Sequence, residues 1–555
     1  MQLETWWIAA WFLLVAWFVP LLGDHWFTAV ERFLSAIAAK RLACIALLFL
    51  TTIIIRLLIL PVIPHPRPFV HDEYSYLLQA DIFAHGRLAF PPHPMSRYFE
   101  TFYVNFHPTY SSIYPPAQAV VLALGQLLGN PWIGVLISTA AMVAAVLWML
   151  QGWFPPWWAL LGATFVLLRL AIFSYWMNSY WGGSVAALGA ALVLGAVPRL
   201  KRHQRLRDAL LLGLGVFILA NSRPFEGFMF CIPVGLILLL WLFELRQQKR
   251  PLPSPNLFLA ILACLFATVI FTFYYNWRLT NDPFVFPRSL YYKQYLSVSP
   301  FIWGKILPQL RYSNPQFEAY FNGFIRAQYG GTWHDLKQIE LQRIYAFWIY
   351  FLGALLSVPF LSLPWLVRDR RVRFALWQFL FCVLGLLSVV WFYPHYAAPG
   401  LCVLLVILVQ AFRHLRRWER DGRPIGVGWT RAIVSLTVAM LPICLVEHIL
   451  RPRAEVCLTY NYDWQRAGII SELEKIPGQH LVIVRYSPNH NVQREWVNNG
   501  ADIDHSRIIW AREIPGVDLS PLLAYFQTRT VWLAEPDAEP PLLHPYSTVQ
   551  LTASY

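Results

Sequence analysis

Apolar runs close to the roughly 20 residues that a helix needs to cross a lipid bilayer recur along most of this chain, each closed off by Pro, Gly or charge. They fall at about 6–22, 42–63, 132–151, 157–174, 180–197, 209–221, 225–243, 257–275, 344–363, 374–392, 399–412 and 432–450. The two short runs, 209–221 and 399–412, can cross only with help from interfacial flanks. The pattern predicts an all-α polytopic membrane protein with about twelve transmembrane helices. One more apolar stretch, "PPAQAVVLALGQLLG" from Pro115, decides the topology by parity. If it crossed, the loop holding Asp72 and the basic loop at 199–207 would share a side. If it lies in or dips into the interface, the strongly basic loops share one side, while 64–131, 276–343 and everything after 450 share the other. The second choice is adopted, with both termini outside. After 450 the pattern changes. "DWQRAGIISELEKIPG" has helical spacing with a Pro-Gly stop, "HLVIVRY" and "RIIWAR" have β-branched strand character, and "PLLAYFQTRTVWLAE" suggests a short helix feeding a strand. The expected organisation is a transmembrane domain over 1–450 and a small α/β domain over 451–555.

Composition supports this reading. Of the 555 residues 57% are hydrophobic and 13% charged, against roughly 25% charged in soluble domains. The 26 Trp, 26 Tyr and 38 Phe suit amphipathic rings at both lipid boundaries. The net charge of +14 would suit nucleic acid if it formed one surface, but it is divided among short loops. Arg199, Lys201, Arg202, Arg205 and Arg207 form one cluster and Arg246, Lys249 and Arg250 another. Arg368, Arg370, Arg371 and Arg373 form a third, and Arg413, Arg416, Arg417, Arg420 and Arg423 a fourth. With Arg32, Lys40 and Arg41 they mark cytoplasmic loops, so no nucleic-acid partner is expected. Six of the seven cysteines sit in apolar runs and Cys457 in a polar one, so neither a disulfide framework nor a CxxC metal site is expected. The first apolar run follows an acidic start without a small-residue cleavage site and reads as a retained helix.

At the outer edge of the second span the chain reads "HDEYSYLLQADIFAHGRLAF" from His71. A helix from Asp72 would align Tyr74, Leu77, Leu78 and Ile82 on one apolar face and stop at Gly86. Asp72 and Glu73 then occupy its first turn. One reading makes them caps that complement the helix dipole. The other makes the pair chemical: it could take a proton from an acceptor hydroxyl or amine, or hold a divalent cation near a phosphate leaving group, with His71 adding a hydrogen bond or charge.

"HDEYSYL", then "IYPPAQAVVLALGQLLG", then the late "YPHYAAPG" resemble, in order and topology over about residues 42–410, the polyprenyl-phosphate-dependent glycosyltransferases of the GT-C fold. That group includes protein O-mannosyltransferases, of glycosyltransferase family 39, and the aminoarabinose transferase of lipid A. The resemblance implies Asp72 as the base toward the acceptor in an inverting transfer, with Glu73 as its orienting partner. The Pro-Pro pair is followed here by Ala117-Gln118, where the family has Leu-Gly or Leu-Leu.

Other outer residues admit two readings each. In "NSRPFEG" Arg223 and Glu226 either close a turn as an ion pair, or Arg223 grips a donor phosphate through its guanidinium fork. His395 and Tyr396 are either interfacial anchors or ligands of phosphate or sugar. Asn178, Tyr180 and Trp181 in "YWMNSYWGG" are either belt packing or sugar contacts. Lys293 and the tyrosines of "RSLYYKQY" receive no role. His85, His93 and His107 lack the spacing of a zinc motif. No phosphate-binding GxxxxGK[ST] loop or GxSxG elbow is present.

The expected function is therefore transfer of a hexose or pentose from a polyprenyl-phosphate donor to a lipid, glycan or protein acceptor on the outer, periplasmic face of a bacterial-type inner membrane. No organic cofactor is expected. The alternatives are a transporter or lipid flippase, whose carboxylates and arginine would line a path through the bilayer, and a non-catalytic scaffold.

Overall fold

The computed structural model describes residues 2–329, 333–451 and 464–546. Among them seven helices are long and apolar enough to cross a membrane, or eight if a bent pair counts as one span. Pro116, Pro131, Pro156, Pro224, Pro255 and Pro287 each open a helix at its first residue, where the missing N–H costs nothing and φ is already helical. Asn130 caps the second of these through the Trp132 N–H at 2.9 Å. The run Pro394–Leu415 lies wholly inside the bundle, and Pro131–Trp153 and Ser184–His203 mostly so, whereas Arg41–Leu58, Pro224–Gln247, Pro255–Thr280 and Ile425–Leu450 leave most of their apolar surface exposed. Such an exterior is the lipid-facing surface of an integral membrane protein, as the polytopic helical fold class requires.

Two expectations are corrected, and one helix had not been expected. The run at 344–363 is not one straight helix: Trp333–Phe351 ends, and the chain resumes at Gly353 with φ of 60° and a bend of 95° between the two arms. Glycine takes that left-handed conformation without steric cost, and Pro359 and Pro364 follow. The basic link between the first two spans contains a helix, Asp24–Ala39. Its apolar positions Phe27, Val30, Leu34 and Ile37 have amphipathic spacing, and Asp24 and Arg431 form an ion pair at 2.7 Å. Cys444 is disulfide-bonded, although hydropathy alone placed it inside an apolar run; Cys457 lies outside the described residues.

The two ends of the bundle differ in charge. At one end Arg202 donates to Gly152 O (2.6 Å), Gln151 to Arg41 O (3.3 Å), and Arg416 pairs with Glu31 (2.8 Å). The loop 64–131 gathers at the other end. It contains the helix His71–Ala84, the short antiparallel pair β1 (Val104–Asn105) and β2 (Ser111–Ser112), and the helix Pro116–Leu127. The last of these crosses Pro131–Trp153 so closely that a Cβ on Gly134 would meet Val121 O at 2.0 Å. It keeps Val120, Leu124 and Leu127 exposed, consistent with an interfacial position.

A four-stranded sheet follows in the C-terminal part: β3 (His480–Val484), β4 (Ile508–Arg512), β5 (Thr530–Glu535) and β6 (Leu542–Pro545), in the order β4-β3-β5-β6. β3 runs parallel to β4 and β5, and β6 is antiparallel to β5. Alternation divides the strands as the period of two demands. Val482 and Val484 pack with Ile469 and Leu473 of the helix Trp464–Leu473. Leu481 and Ile483 face the loop 64–131, packing with Leu78, Ile82, Phe99 and Phe106. The helix His71–Ala84 is thus clasped between bundle and sheet, so the single apolar face expected for it is replaced by burial on several sides, with Tyr74 and Leu77 only half-buried. Asp81 ties the three parts together, accepting from Gln126 Nε2 and the Ala501 N–H, both at 2.7 Å.

The crossover from β3 to β4 is anchored by Glu495, which is fully buried with Arg512 at 2.5 Å. Arg512→Met leaves that carboxylate buried and unpaired, and is expected to destabilise the C-terminal part by about 3–5 kcal/mol. Thermal unfolding checks this, and Glu495→Gln added to Arg512→Met should recover much of the loss.

Candidate active site

Successive residues of a helix diverge by roughly 100°, so His71, Asp72 and Glu73, in the first turn of His71–Ala84, face three different neighbours. Glu73 turns back into the protein. Its Oε2 accepts from the N–H groups of Phe69 (2.9 Å) and Val70 (3.3 Å), and its Oε1 from that of Tyr180 (2.9 Å). Burial pushes its carboxyl up to about 7, opposed by those three donors, which favour the charged form. The capping reading therefore belongs to Glu73, which bonds back to the N-cap N–H from the third helical position.

Asp72 faces outward, into a cavity of about 260 Å³. Tyr114, the tyrosine of "IYPP", donates to its Oδ1. Burial raises its pKa, while the Tyr114 hydrogen bond and the fields of Arg223 and Arg288 oppose the rise. His71 lines the same cavity but is tied to the C-terminal part, with Nε2 at 2.8 Å from Val492 O and its ring 4.3 Å from that of Phe102. Burial lowers its pKa to about 4, so the ring is neutral near pH 7: it donates Nε2–H to the carbonyl and leaves Nδ1 as an acceptor.

A second cavity of about 500 Å³ adjoins the first, walled largely by apolar groups such as Phe225, Phe228 and Phe301. Arg223 and Glu226 line it. Tyr114, Arg288, Tyr292, Trp391 and Tyr396 line both cavities and form the partition. Arg223 is the N-cap of Pro224–Gln247, and its guanidinium lies 4.1 Å above the Tyr396 ring. Among the described residues no ion pair joins it to Glu226, though Arg223 feels the field of that carboxylate; the closed-turn ion pair is not formed. Arg288 donates from Nε to Tyr292 Oη at 2.5 Å and also has no carboxylate in contact among the described residues.

The remaining predicted residues stand behind the walls. Asn178 accepts from Arg56 (2.9 Å) and donates to Ile172 O (2.9 Å). Tyr180 bonds Glu73 through its N–H and Pro66 O through its hydroxyl, the latter at 2.9 Å. His395 is buried, hydrogen-bonded at Nδ1 with the Tyr175 hydroxyl (3.0 Å) and packed on Trp181 (4.7 Å between ring centroids). It lines neither cavity, whereas its neighbour Tyr396 lines both. The structure thus brings Asp72, His71, Arg223, Glu226 and Tyr396 to adjoining spaces, and places Glu73, Asn178, Tyr180 and His395 in their support.

Sequence reasoning missed Arg288 and gave Tyr114 no role. The signal for Arg288 was available: in the helix Pro287–Tyr295, Arg288, Tyr291, Tyr292 and Tyr295 recur at i, i+3, i+4 and i+7, one face, while Lys293 points away and is exposed. Toward a divalent cation the described lining of the smaller cavity offers one carboxylate. Asp72 is the single carboxylate lining the smaller cavity, with Arg288 in the same wall, and among the described residues no group of three or more His, Cys, Asp or Glu is placed to hold a metal.

These geometries predict different costs for the two neighbouring acids. Glu73→Gln turns an acceptor oxygen into an NH₂ group facing backbone N–H, and is expected to lose about 1–3 kcal/mol. Asp72→Asn retains an acceptor for Tyr114 and should unfold near the wild-type temperature. Thermal unfolding of both variants in lipid checks this.

No family model matches the chain, and no curated protein matches it. Solved structures resemble it at low identity. ArnT from Cupriavidus metallidurans, crystallised with undecaprenyl phosphate, is 13% identical over 88% of this chain and 92% of its own, with a TM-score of 0.46. The Archaeoglobus fulgidus oligosaccharyltransferase, tethered to an acceptor peptide, is 13% identical over 79% of this chain, with a TM-score of 0.41, and the match spans only 62% of that longer protein. The same archaeal enzyme, AglB, in complex with an inhibitory peptide and dolichol phosphate gives 11% identity over 88% of this chain and 69% of its own, with a TM-score of 0.40.

Proposed function

We propose that the protein is an inverting membrane glycosyltransferase that takes a sugar from a polyprenyl-phosphate donor and delivers it to a hydroxyl or amine acceptor at the outer face of a bacterial-type inner membrane. One observation carries the reading: an apolar cavity with Arg223 and a smaller polar one with Asp72 share a single partition that contains Arg288. The larger space suits an isoprenoid tail, and the two guanidinium groups, neither in contact with a carboxylate among the described residues, suit the phosphate at its head. Glu226 stands at the rim of the same donor cavity. The short motifs "HDEYSYL", "IYPP" and "YPHY" support the same class of reaction.

The chemistry follows from the placement. Asp72 Oδ2 takes the proton from the acceptor hydroxyl or amine as that atom bonds to the anomeric carbon. The bond from that carbon to the phosphate oxygen breaks on the opposite face, and its electron pair leaves on the polyprenyl phosphate. Arg288 and Arg223 stabilise the charge that develops there. Tyr114 holds the carboxylate in register, Glu73 fixes the helix that carries it, and His395 supports the Tyr396 ring on which Arg223 rests. The outer-face assignment draws on the segregation of the basic loops to the opposite end and on the disulfide at Cys444, since such bonds persist in oxidising compartments.

In lipid nanodiscs supplied with radiolabelled decaprenyl-phosphate sugars and envelope glycolipid acceptors, Asp72→Asn should lower turnover about 10²–10⁴-fold, the usual share of a general base. Equal turnover by wild type and variant would overturn the role of Asp72, and leaflet exchange of lipid without transfer would overturn the enzyme reading. Because the base acts ionised, transfer should rise with pH along an acid limb whose midpoint lies above the ordinary 3.8 of aspartate, read from the pH–rate profile. Arg288→Gln and Arg223→Gln should each weaken decaprenyl-phosphate binding at least about tenfold, the scale of one charged hydrogen bond, with the fold retained.

A further inference from the structure

The crossover from β3 to β4 reaches away from the sheet and into the smaller cavity. It leaves the carboxyl end of β3, flanked by a parallel strand on each side, the edge of an open α/β sheet where ligands ordinarily sit. An Asn491 turn, with its Oδ1 accepting from Gln493 N at 3.1 Å and its carbonyl from Arg494 N at 2.8 Å, sets the tip. Just before the buried Glu495, this tip presents the Val492 carbonyl to His71 and the Gln493 side chain to the cavity wall. Gln493 Nε2 is buried with no hydrogen-bond partner, a cost of about 1–3 kcal/mol for a donor left unsatisfied. A hydroxyl-bearing ligand within reach of a rotated amide would remove that cost. Gln328 in the same lining supplies a second amide.

The rest of the lining narrows the ligand. Trp181, Trp391, Tyr103 and Tyr320 give aromatic faces, which pack the C–H surface of a ring. At about 260 Å³ the space falls below the roughly 300–1,000 Å³ of pockets for drug-sized ligands, so it holds one ring and not a chain. Asp72 and Arg288 are the charged groups in the wall, and each is already engaged, by Tyr114 and Tyr292. One carboxylate and one guanidinium in the same wall give neither an ammonium nor an acidic sugar an unopposed partner, and the field of Arg288 with Arg223 behind it weighs against the ammonium.

We infer that the smaller cavity is a subsite for a neutral, hydroxylated sugar ring, and that Gln493, carried by the C-terminal α/β part, is a specificity-determining residue within it. The inference rests on the glycosyltransferase reading and deepens it. It gives the C-terminal sheet a part in substrate selection, alongside its packing on the first outer loop. The ring can belong to the acceptor or to the donor's own sugar, and the two sources share the same chemistry.

The test uses the full chain in nanodiscs and saturation-transfer NMR with free glucose, galactose, mannose, N-acetylglucosamine and cationic glucosamine. At least one neutral sugar should receive saturation at its ring protons and glucosamine should not. Gln493→Leu should weaken the neutral signal about fivefold, the worth of one hydrogen bond, and Gln328→Leu serves equally should Gln493→Leu fail to fold. No transfer to any neutral sugar, equal transfer to glucosamine, or a signal unaltered in the folded glutamine variants would overturn the proposal. A decaprenyl-phosphate hexose that displaces the free sugar, where decaprenyl phosphate alone does not, places the donor's ring there; free sugar retained beside the bound donor places the acceptor's. If decaprenyl phosphate binds while neutral sugars do not, the subsite fails and the donor reading stands. If sugars bind while decaprenyl phosphate does not, the donor reading fails and the subsite stands.

Discussion

The site depends on three N–H groups converging on one carboxylate. An acid buried at the end of a helical bundle is tolerated only if its oxygens are answered. Glu73 is answered by Phe69, Val70 and Tyr180. Those bonds join the entry of the helix His71–Ala84 to the segment that follows Pro156–Leu170, and so fix the rotation of the helix about its axis. Once that rotation is set, the residue before Glu73 must point about 100° away, into the polar cavity. Glu73 is thus the reason that Asp72 is exposed to a ligand.

The bundle around this helix solves two solvation problems separately. Its most buried runs form a dry centre, and its peripheral helices keep apolar faces toward lipid. Charge is expelled to the two ends, but in different company. At the basic end Glu31, Asp24 and Asp369 engage Arg416, Arg431 and His414. At the other end Arg223 and Arg288 border a largely apolar cavity and rest against tyrosine rings, without a carboxylate in contact among the described residues. Two guanidinium groups left so create a positive potential that an anion lowers.

The C-terminal sheet enters as a third wall. Leu481 and Ile483 cover Leu78 and Ile82 of the Asp72 helix, Asp81 crosses to Ala501, and the buried Glu495–Arg512 pair holds the crossover against His71. Packing alone would need only the first of these. The crossover adds polar side chains to a cavity otherwise built from the loop 64–131, Trp181, the loop 276–343 and the segment around Pro394.

Much of this was legible in the chain. Hydropathy and the distribution of Arg and Lys are one-dimensional signals with a strong physical basis, the cost of charge in hydrocarbon; they pointed to a polytopic helical protein, of which seven helices, or eight with the bent pair, are long and apolar enough to cross a membrane among the described residues, fewer than the twelve expected. Alternating β-branched residues marked β3 and β4. Local spacing also placed Asp72 and Glu73 in a first helical turn. What it left open was which of the two faces a ligand, because that depends on donors from Tyr180, more than a hundred positions away. Tertiary structure alone decided that His395 stands behind Tyr396, that Arg223 rests on an aromatic ring without forming an ion pair with Glu226, and that Arg288 and Gln493 share a cavity with Asp72. Each depends on which distant segments meet, and neither residue spacing nor side-chain chemistry encodes that.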